Sequence, residues 1–572
     1  MKKRWKRRGF DFMNISVNEI KNGCLGCPVK FFIFASLLFL CISVSHTEEI
    51  ILPDMETVVS GNEVLTVKDA LPDFSDVIVD ENTAAGNFVK LPDHTWSEGS
   101  LTETADEKTK EKDIFAEGLV GGGYPEFFTG DFSVYRSSGE NPFLLGFFHE
   151  SSAGYSRKDA SDGFFDDTTK IYGDKTFTLP SSVWKFSGSY EKNGNGMQNV
   201  SPVFYDVSKR NLGGRVEAGF HPSDIFELTF SAGASWYGRY AGKKNSSSVS
   251  APEEGASIFL LDPFVRASWE IGQVKLKVLA DYKQQNNIAG DENITSSEFD
   301  AQAAHRGRLG ADISWSNGIF TVFEEVSAVA GTAIGSDRKI IVPFTLGFEI
   351  KAEPSFMSGP FVFSAQGGIS SVQETYSMLE KKYGFAVLNF IPPETTDWYV
   401  YVRTAFPVNA NLTFNGSAEY RKTAFGNGVW QPDYERALPS GMYGFSETER
   451  ELLKTKADIS FYAGIFTFSA LWTAEWKDIP VLESRHLAEF AASVQSSDAR
   501  TGADLSLGFE AGEGADKTPV IDFASFVRFT SAVRIAVQVD DIVKLAAGRL
   551  RTYAGKYGAR SGSAALLVKF FF

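Results

Sequence analysis

Phe226-Glu227-Leu228-Thr229-Phe230-Ser231-Ala232-Gly233-Ala234-Ser235-Trp236 is the stretch that decides the fold. Phe226, Leu228, Phe230, Ala232, Ala234 and Trp236 alternate with Glu227, Thr229, Ser231, Gly233 and Ser235. A period of two sends successive side chains to opposite faces, so the stretch reads as a β-strand with one apolar and one polar face. The pattern recurs in Leu412, Phe414, Gly416, Ala418 and Tyr420, set against Thr413, Asn415, Ser417 and Glu419. It recurs again in Phe466, Phe468, Ala470, Trp472 and Trp476, set against Thr467, Ser469, Thr473 and Glu475. Such runs of about 9–13 residues have the length that a tilted strand needs to cross a bilayer.

The connections alternate as well. Short turns at Pro180-Ser181, His221-Pro222-Ser223-Asp224, Ile271-Gly272, Ser316-Asn317-Gly318 and Tyr462-Ala463-Gly464 join one set of strand pairs. Long polar stretches near 151–168, 191–212, 241–257, 284–306, 371–395, 421–453 and 477–484 join the other set. Short turns at one end and long loops at the other are the asymmetry of an outer-membrane barrel, and a soluble sandwich does not sort its loops this way. About 22 candidate strands fit between residue 113 and the C-terminus, and an even count puts both chain ends on the periplasmic side. The stretch 484–494 alternates weakly and the first strand is Gly-rich, which leaves 20 as the alternative count. The expected fold is all-β, a transmembrane antiparallel barrel over residues 113–572.

Composition bounds the reading from outside. The chain has 572 residues, 43% hydrophobic and 14% aromatic, with 50 Phe and a formal charge of -16. An acidic balance argues against nucleic acid as partner, because phosphate binding needs a basic face. No run of 18 apolar residues is present, which excludes a helical membrane protein. A Phe surplus suits lipid contact, since Phe buries area without needing a hydrogen-bond partner.

The N-terminus reads as a secretory signal over residues 1–45. Lys2, Lys3, Arg4, Lys6, Arg7 and Arg8 form a basic start, Phe31 to Val44 is a short apolar stretch, and small residues place cleavage after Ser45. The basic start is long, and Met13 is an alternative initiation point. Cys24, Cys27 and Cys41 all lie in this leader, so the mature chain is expected to lack cysteine. Removing the leader's eight basic and two acidic residues takes the charge from -16 to -22.

Residues 46–112 differ from all that follows. With Asp113 they hold 17 acidic and 5 basic residues, and Leu-Pro-Asp triplets beginning at Leu52, Leu71 and Leu91 break any regular period. Such a stretch buries little apolar surface by itself and is expected to be a periplasmic arm or an occupant of the barrel lumen.

The chain ends in Ala564-Ala565-Leu566-Leu567-Val568-Lys569-Phe570-Phe571-Phe572. Val568, Phe570 and Phe572 resemble the C-terminal signature through which the barrel-assembly machinery recognises outer-membrane barrels. Two further stretches resemble the barrels of TonB-dependent receptors. Phe127 to Val134, a turn, then Phe143 to Tyr155 follow that family's opening hairpin. Val537-Gln538-Val539-Asp540-Asp541-Ile542-Val543 resembles its penultimate strand, with Tyr553, Gly555, Tyr557, Gly558 and Arg560 leading into the last. Glu56-Thr57-Val58-Val59-Ser60 resembles a TonB box, and the resemblance implies TonB as a partner. It also implies 22 strands and uptake of a small solute or nutrient across the outer membrane. Such receptors carry a plug domain of well over a hundred residues before the barrel, whereas here only residues 46–112 are available, so the expectation is a barrel lacking a standard plug.

Asp131, Glu227, Lys275, Lys277, Asp281, Glu419 and Glu475 fall on the polar face and are the expected lumen-facing residues, able to set ion preference. Net negative charge on the barrel favours cationic solutes by field. Enzyme signatures are missing from the sequence: His46, His94, His149, His221, His305 and His486 show no metal spacing, and no Gly-x-Ser-x-Gly occurs. No catalytic residue, metal or cofactor is expected. Outer-membrane lipid and an unidentified small solute are the expected partners. The alternative reading is a surface adhesin or ligand-binding protein that uses long extracellular loops on a barrel anchor.

Overall fold

The computed structural model describes residues 114–136, 141–244, 255–288, 303–332, 340–354, 359–477, 483–512 and 515–572. The signal peptide with its Ser45 junction, the acidic segment 46–112 and the Glu56–Ser60 motif lie outside the described residues.

One antiparallel sheet contains 24 strand segments. Ala256–Leu261 and Phe264–Ile271 both pair with the strands on either side of them, so together they make one full crossing, or stave. Ile340–Ile341 and Phe344–Ala352 likewise share the neighbour Phe320–Gly331. Twenty-four segments with two staves each broken in two give a barrel of 22. Both breaks fall at a proline, Pro263 and Pro343, which has no N–H to give to the ladder. Their carbonyls still accept across the wall, from Tyr282 N at 3.0 Å and Ser327 N at 3.0 Å.

The sheet closes on itself. Phe115–Tyr124 pairs with Ser563–Phe571, from Glu117 opposite Phe571 to Tyr124 opposite Ala564. Val568 and Phe570 therefore lie in the closing seam, opposite Val120 and Gly118, and Phe572 N donates to Ala116 O at 2.8 Å. Closure satisfies every edge, which is what permits a sheet to stand in hydrocarbon.

The alternation read from the sequence separates the two faces of the wall. Phe132, Phe147 and Ile171 follow one another across three staves and are all exposed, as are Leu212, Phe230 and Leu309 elsewhere. These are outer-face residues. Trp315 stands on the same face near the short turns, and Trp398 and Trp472 nearer the loop end, the positions of interfacial girdles. The short turns use glycine where the backbone must go left-handed, as at Gly272 (φ 62) and Gly464 (φ 63). Among the described residues no helix is long and apolar enough to cross a membrane.

Several expected boundaries move. Phe204–Ser223 has 20 residues and Phe226–Lys243 has 18, so 204–212 is strand where the sequence suggested loop. Lys209-Arg210-Asn211 interrupts the apolar alternation, yet these residues pair with Arg239, Gly238 and Tyr237. At about 3.3 Å per residue and a tilt near 45°, twenty residues rise well past the ~25 Å apolar band, so this part of the wall stands in water and can be polar on both faces. The weakly alternating 484–494 is a full strand, Glu483–Gln495. The loop between Val533–Asp540 and Ser563–Phe571 is long and contains a helix, Ile542–Ala547, and a hairpin, Arg551–Ala554 with Tyr557–Ala559.

Candidate functional site: the loop cap and the charged inner wall

The loop between Phe361–Val372 and Thr395–Asn409 carries a helix, Tyr376–Lys382, that docks on distant staves. Thr375 caps its start by accepting from Met378 N. Glu380, fully buried, is the centre of the dock. It accepts from Arg239 Nη1, from Tyr237 Oη at 2.6 Å and from its own loop's Leu388 N at 2.8 Å. Arg239 Nη1 also donates to Tyr376 Oη at 3.1 Å, and that hydroxyl donates onward to Leu388 O at 2.5 Å. Lys209 Nζ donates to the carbonyls of Glu380 at 2.5 Å, Tyr383 at 3.1 Å and Ala386 at 3.4 Å. An ammonium on those carbonyls satisfies the orphan acceptors of a helix C-terminus and complements its dipole. Burial raises the Tyr376 phenol well above its ordinary range.

The return limb of the loop is clipped separately. Arg306 Nε reaches both carboxylate oxygens of the buried Glu394 at 3.1 Å, Ser371 Oγ donates to Glu394 at 2.7 Å, and Arg306 Nη1 reaches Asp281 at 2.9 Å. Lys381 on the helix meets Glu191 at 2.5 Å. The loop thus leaves one side of the barrel, crosses to staves built from 182–196, 204–223 and 226–243, and returns.

Four loops share one apolar core above the wall. Met197, Phe204, Tyr383, Phe385, Leu388, Met442, Tyr443 and Tyr557 are buried in it. Phe385 and Tyr557 stack with ring centroids 3.7 Å apart. Tyr557 Oη donates to Gly441 O at 2.9 Å, and Tyr443 Oη accepts from Lys556 N at 2.8 Å. Gln198 exchanges two hydrogen bonds with the backbone of Gly558, at 2.7 and 2.8 Å. Chain segments about 360 residues apart are joined there.

Asp540 and Asp541, from the stretch that resembles the receptor penultimate strand, anchor the last of these loops. Asp540 accepts from Ser563 Oγ at 2.8 Å. Asp541 caps the helix Ile542–Ala547 by accepting from Lys544 N, and meets Arg551 Nε at 2.7 Å. Lys544 Nζ in turn lies 2.8 Å from Asp516. Burial opposes ionisation of Asp516, but hydrogen bonds from Lys544 and Thr518 prevail and hold its carboxyl down to about 2.

The seven polar-face residues singled out in the sequence are spread around the wall and form no common site. Asp281 meets Arg306 and, at 3.8 Å, Arg308. Glu419 meets Arg421 at 2.5 Å, and Glu475 meets Lys454 at 3.2 Å. Nearer the short turns Lys275 meets Glu270 at 3.2 Å and Glu227 lies 3.7 Å from His221. Lys277 stands opposite Asp312, and Asp131 opposite Leu119 and Phe148. The buried Lys209, Arg239, Glu380, Arg306 and Glu394 were not legible in the sequence, because the contacts that join them, Arg306 to Glu394, Arg239 to Glu380 and Lys209 to Glu380 O, bridge 88, 141 and 171 residues.

No protein-family model matches the sequence, and no curated protein is similar to it. Solved structures are similar in fold. The FrpB iron transporter of Neisseria meningitidis aligns with a TM-score of 0.57 and 10% identity over 81% of each chain. The copper transporter OprC aligns with a TM-score of 0.61 and 9% identity over 80% of each chain. A ferric enterobactin receptor mutant from Pseudomonas aeruginosa, in complex with enterobactin, aligns at 0.58 and 8% over 80% of this chain and 81% of its own. At such identities the likeness is one of fold, and the closed 22-stave wall is a TonB-dependent-receptor-like barrel.

Proposed function

We propose that the chain spans the bacterial outer membrane over residues 113–572 and passes a small solute or nutrient through its lumen. The observation that carries this reading is a closed wall with an apolar outer face, a salt-bridged inner face and a mouth spanned by loops from distant staves. Twenty-two staves enclose a wide lumen, and a wide lumen leaks unless something closes it. The Glu380 dock and the loop core supply closure at the loop end. Residues 46–112, released after Ser45, are a periplasmic arm or an occupant of the lumen. Asp131, Glu227, Lys275, Lys277, Asp281, Glu419 and Glu475 line the path and set ion preference. Val568, Phe570 and Phe572 are read by the assembly machinery, and Glu56–Ser60 is the contact for TonB. The FrpB, OprC and enterobactin receptor likenesses support transport as the function class.

Planar-bilayer recording tests the reading. The mature chain should conduct weakly, and deletion of 46–112 together with Glu380→Ala should raise single-channel conductance severalfold. A barrel that stays silent with both changes defeats transport and leaves surface binding by the loops as the function. A peptide carrying Glu56–Ser60 that fails to bind TonB would remove energy coupling without removing passage.

A further inference from the structure

Glu324 stands on the outer face of the wall, where a charge is out of place. It is exposed, and the register sets it between Ile313 and Leu346, two exposed apolar residues on the neighbouring staves. Val322 and Val326 precede and follow it on the same face of its own stave, Phe320–Gly331. Outer-face carboxylates at the loop end have cations beside them: Asp167 meets Lys192 at 2.8 Å, and Glu451 meets Lys422 at 3.2 Å. Glu324 has no ion pair or hydrogen bond among the described residues.

Its depth follows from the register. Trp315, in the short-turn girdle, lies opposite Val322, and Ile313, two residues farther along, lies opposite Glu324. Two residues of a strand tilted near 45° rise about 5 Å, which places the Glu324 backbone about 5 Å inside the girdle, on the hydrocarbon side. The opposite boundary lies near the exposed Tyr282–His305 pair, about 23 Å farther up Ala303–Ser316.

A carboxylate in hydrocarbon is costly, and one close to the boundary is relieved by a cation offered there. The length of a Glu side chain can carry the carboxylate back to the level of Trp315, where phospholipid headgroups begin. An ethanolamine headgroup supplies a primary ammonium next to a phosphate, and its N–H groups form charge-assisted hydrogen bonds. A choline headgroup has no N–H, and a glycerol headgroup has no cation. Trp315 supplies the complement to the phosphate. Its indole N–H is a donor only and has no acceptor among the described residues. It stands diagonal to Glu324 across the strand pair, within reach of a long side chain. Beyond Glu324 the same face continues through Val326, Ala328 and Ala330, a low apolar track along which acyl chains can lie.

We propose that Glu324 and Trp315 form a binding site for one phospholipid with an ethanolamine headgroup in the short-turn leaflet. The carboxylate accepts from the ammonium, and the indole N–H donates to the phosphate. The inference rests on reading the wall as standing in a membrane and not on passage of a solute. Its test reads a covalent mass, so lipid binding and conductance fail separately.

A carbodiimide activates a carboxyl and joins it to a primary amine in contact with it, releasing a urea, so the lipid can be caught in place. The full chain, folded into vesicles of phosphatidylethanolamine and phosphatidylglycerol, is treated with an apolar carbodiimide and its peptides are weighed. The peptide holding Glu324 should gain one ethanolamine phospholipid roughly fivefold more often than the peptide holding Asp224, an exposed carboxylate in a short turn. Glu324→Gln should remove the adduct while heat-resistant migration of the barrel on gels is kept. Trp315→Phe should lower the yield about threefold with the carboxylate still present. The comparison of Glu324 with Asp224 is made within the wild type, so it decides even where a variant does not fold. Equal yields at the two positions overturn the proposal, since they report only the local concentration of lipid amine. So does coupling of Glu324, in native outer membranes, to a lysine of another polypeptide instead of to lipid, which would make the site a protein contact.

Discussion

Arg239 and Glu380, 141 residues apart, are both buried and form an ion pair that fastens a loop helix to a distant stave. Each also has neutral partners, Tyr376 for Arg239 and Tyr237 and Leu388 N for Glu380, so neither charge depends on the other alone. Such satisfaction is what makes a desolvated pair tolerable.

Breaking it from one side should therefore be costly. Glu380→Ala leaves Arg239 and Lys209 buried near each other without the carboxylate, and removal of one partner of a buried pair costs about 3–5 kcal/mol. Hydrogen exchange should rise across 376–388, while heat-resistant migration of the barrel on gels stays unchanged. Unaltered protection of 376–388 would show that the apolar core alone holds the loop.

The face assignment predicts an asymmetry between neighbours in the wall. Phe147, at the middle of Phe143–Ser152, is an outer-face residue, and Phe147→Arg should destabilise the barrel in a bilayer by about 2–4 kcal/mol. Ser189 lies on the polar face, and Ser189→Arg should change stability by only about 0.5 kcal/mol. Urea titration of the protein folded into vesicles measures both; equal losses would contradict the assignment.

Gly464 turns between Glu451–Ala463 and Phe466–Lys477 at φ 63 with nothing near its missing Cβ, so only backbone strain opposes substitution. Gly464→Val should cost roughly 1–2 kcal/mol, and Gly464→Asn distinctly less. The same urea titration compares them.

Acid should loosen the last loop before it affects the wall. Asp516 has a carboxyl held at about 2 in the folded protein against an ordinary 3.8. A depressed carboxylate pKa stabilises fully above the unfolded value and is lost as pH falls through the folded one. Protection of 541–562 should thus be constant above about pH 5 and decline between pH 4 and 2. Asp516→Asn should lower it at pH 7 and remove the contribution of this group to the decline.

Much of the wall was legible because alternation is a local signal. Phe226 to Trp236 needs no distant partner to declare a two-faced strand, and twenty-two such stretches with sorted turns imply closure. Strand ends were less legible. Lys209-Arg210-Asn211 looked like loop because a strand standing above the apolar band no longer needs an apolar face, and only pairing with Arg239, Gly238 and Tyr237 defines it. Glu483–Gln495 alternates weakly for itself but is held by neighbours on both sides. Asp281, Glu419 and Glu475 were placed on the polar face from spacing, while the arginines and lysine that meet them were not.

The sequence by itself determined the class of the protein, its two-faced wall and the sorting of short turns from long loops, since each depends on residues adjacent in the chain. Tertiary structure alone decided how the mouth is covered. Glu380 finds Arg239 and Gln198 finds Gly558 only after closure brings separated staves to the same rim. No periodicity encodes those contacts, because each joins an irregular loop to a segment far away in the chain, and their cost in chain entropy is met once the barrel has fixed the loop ends.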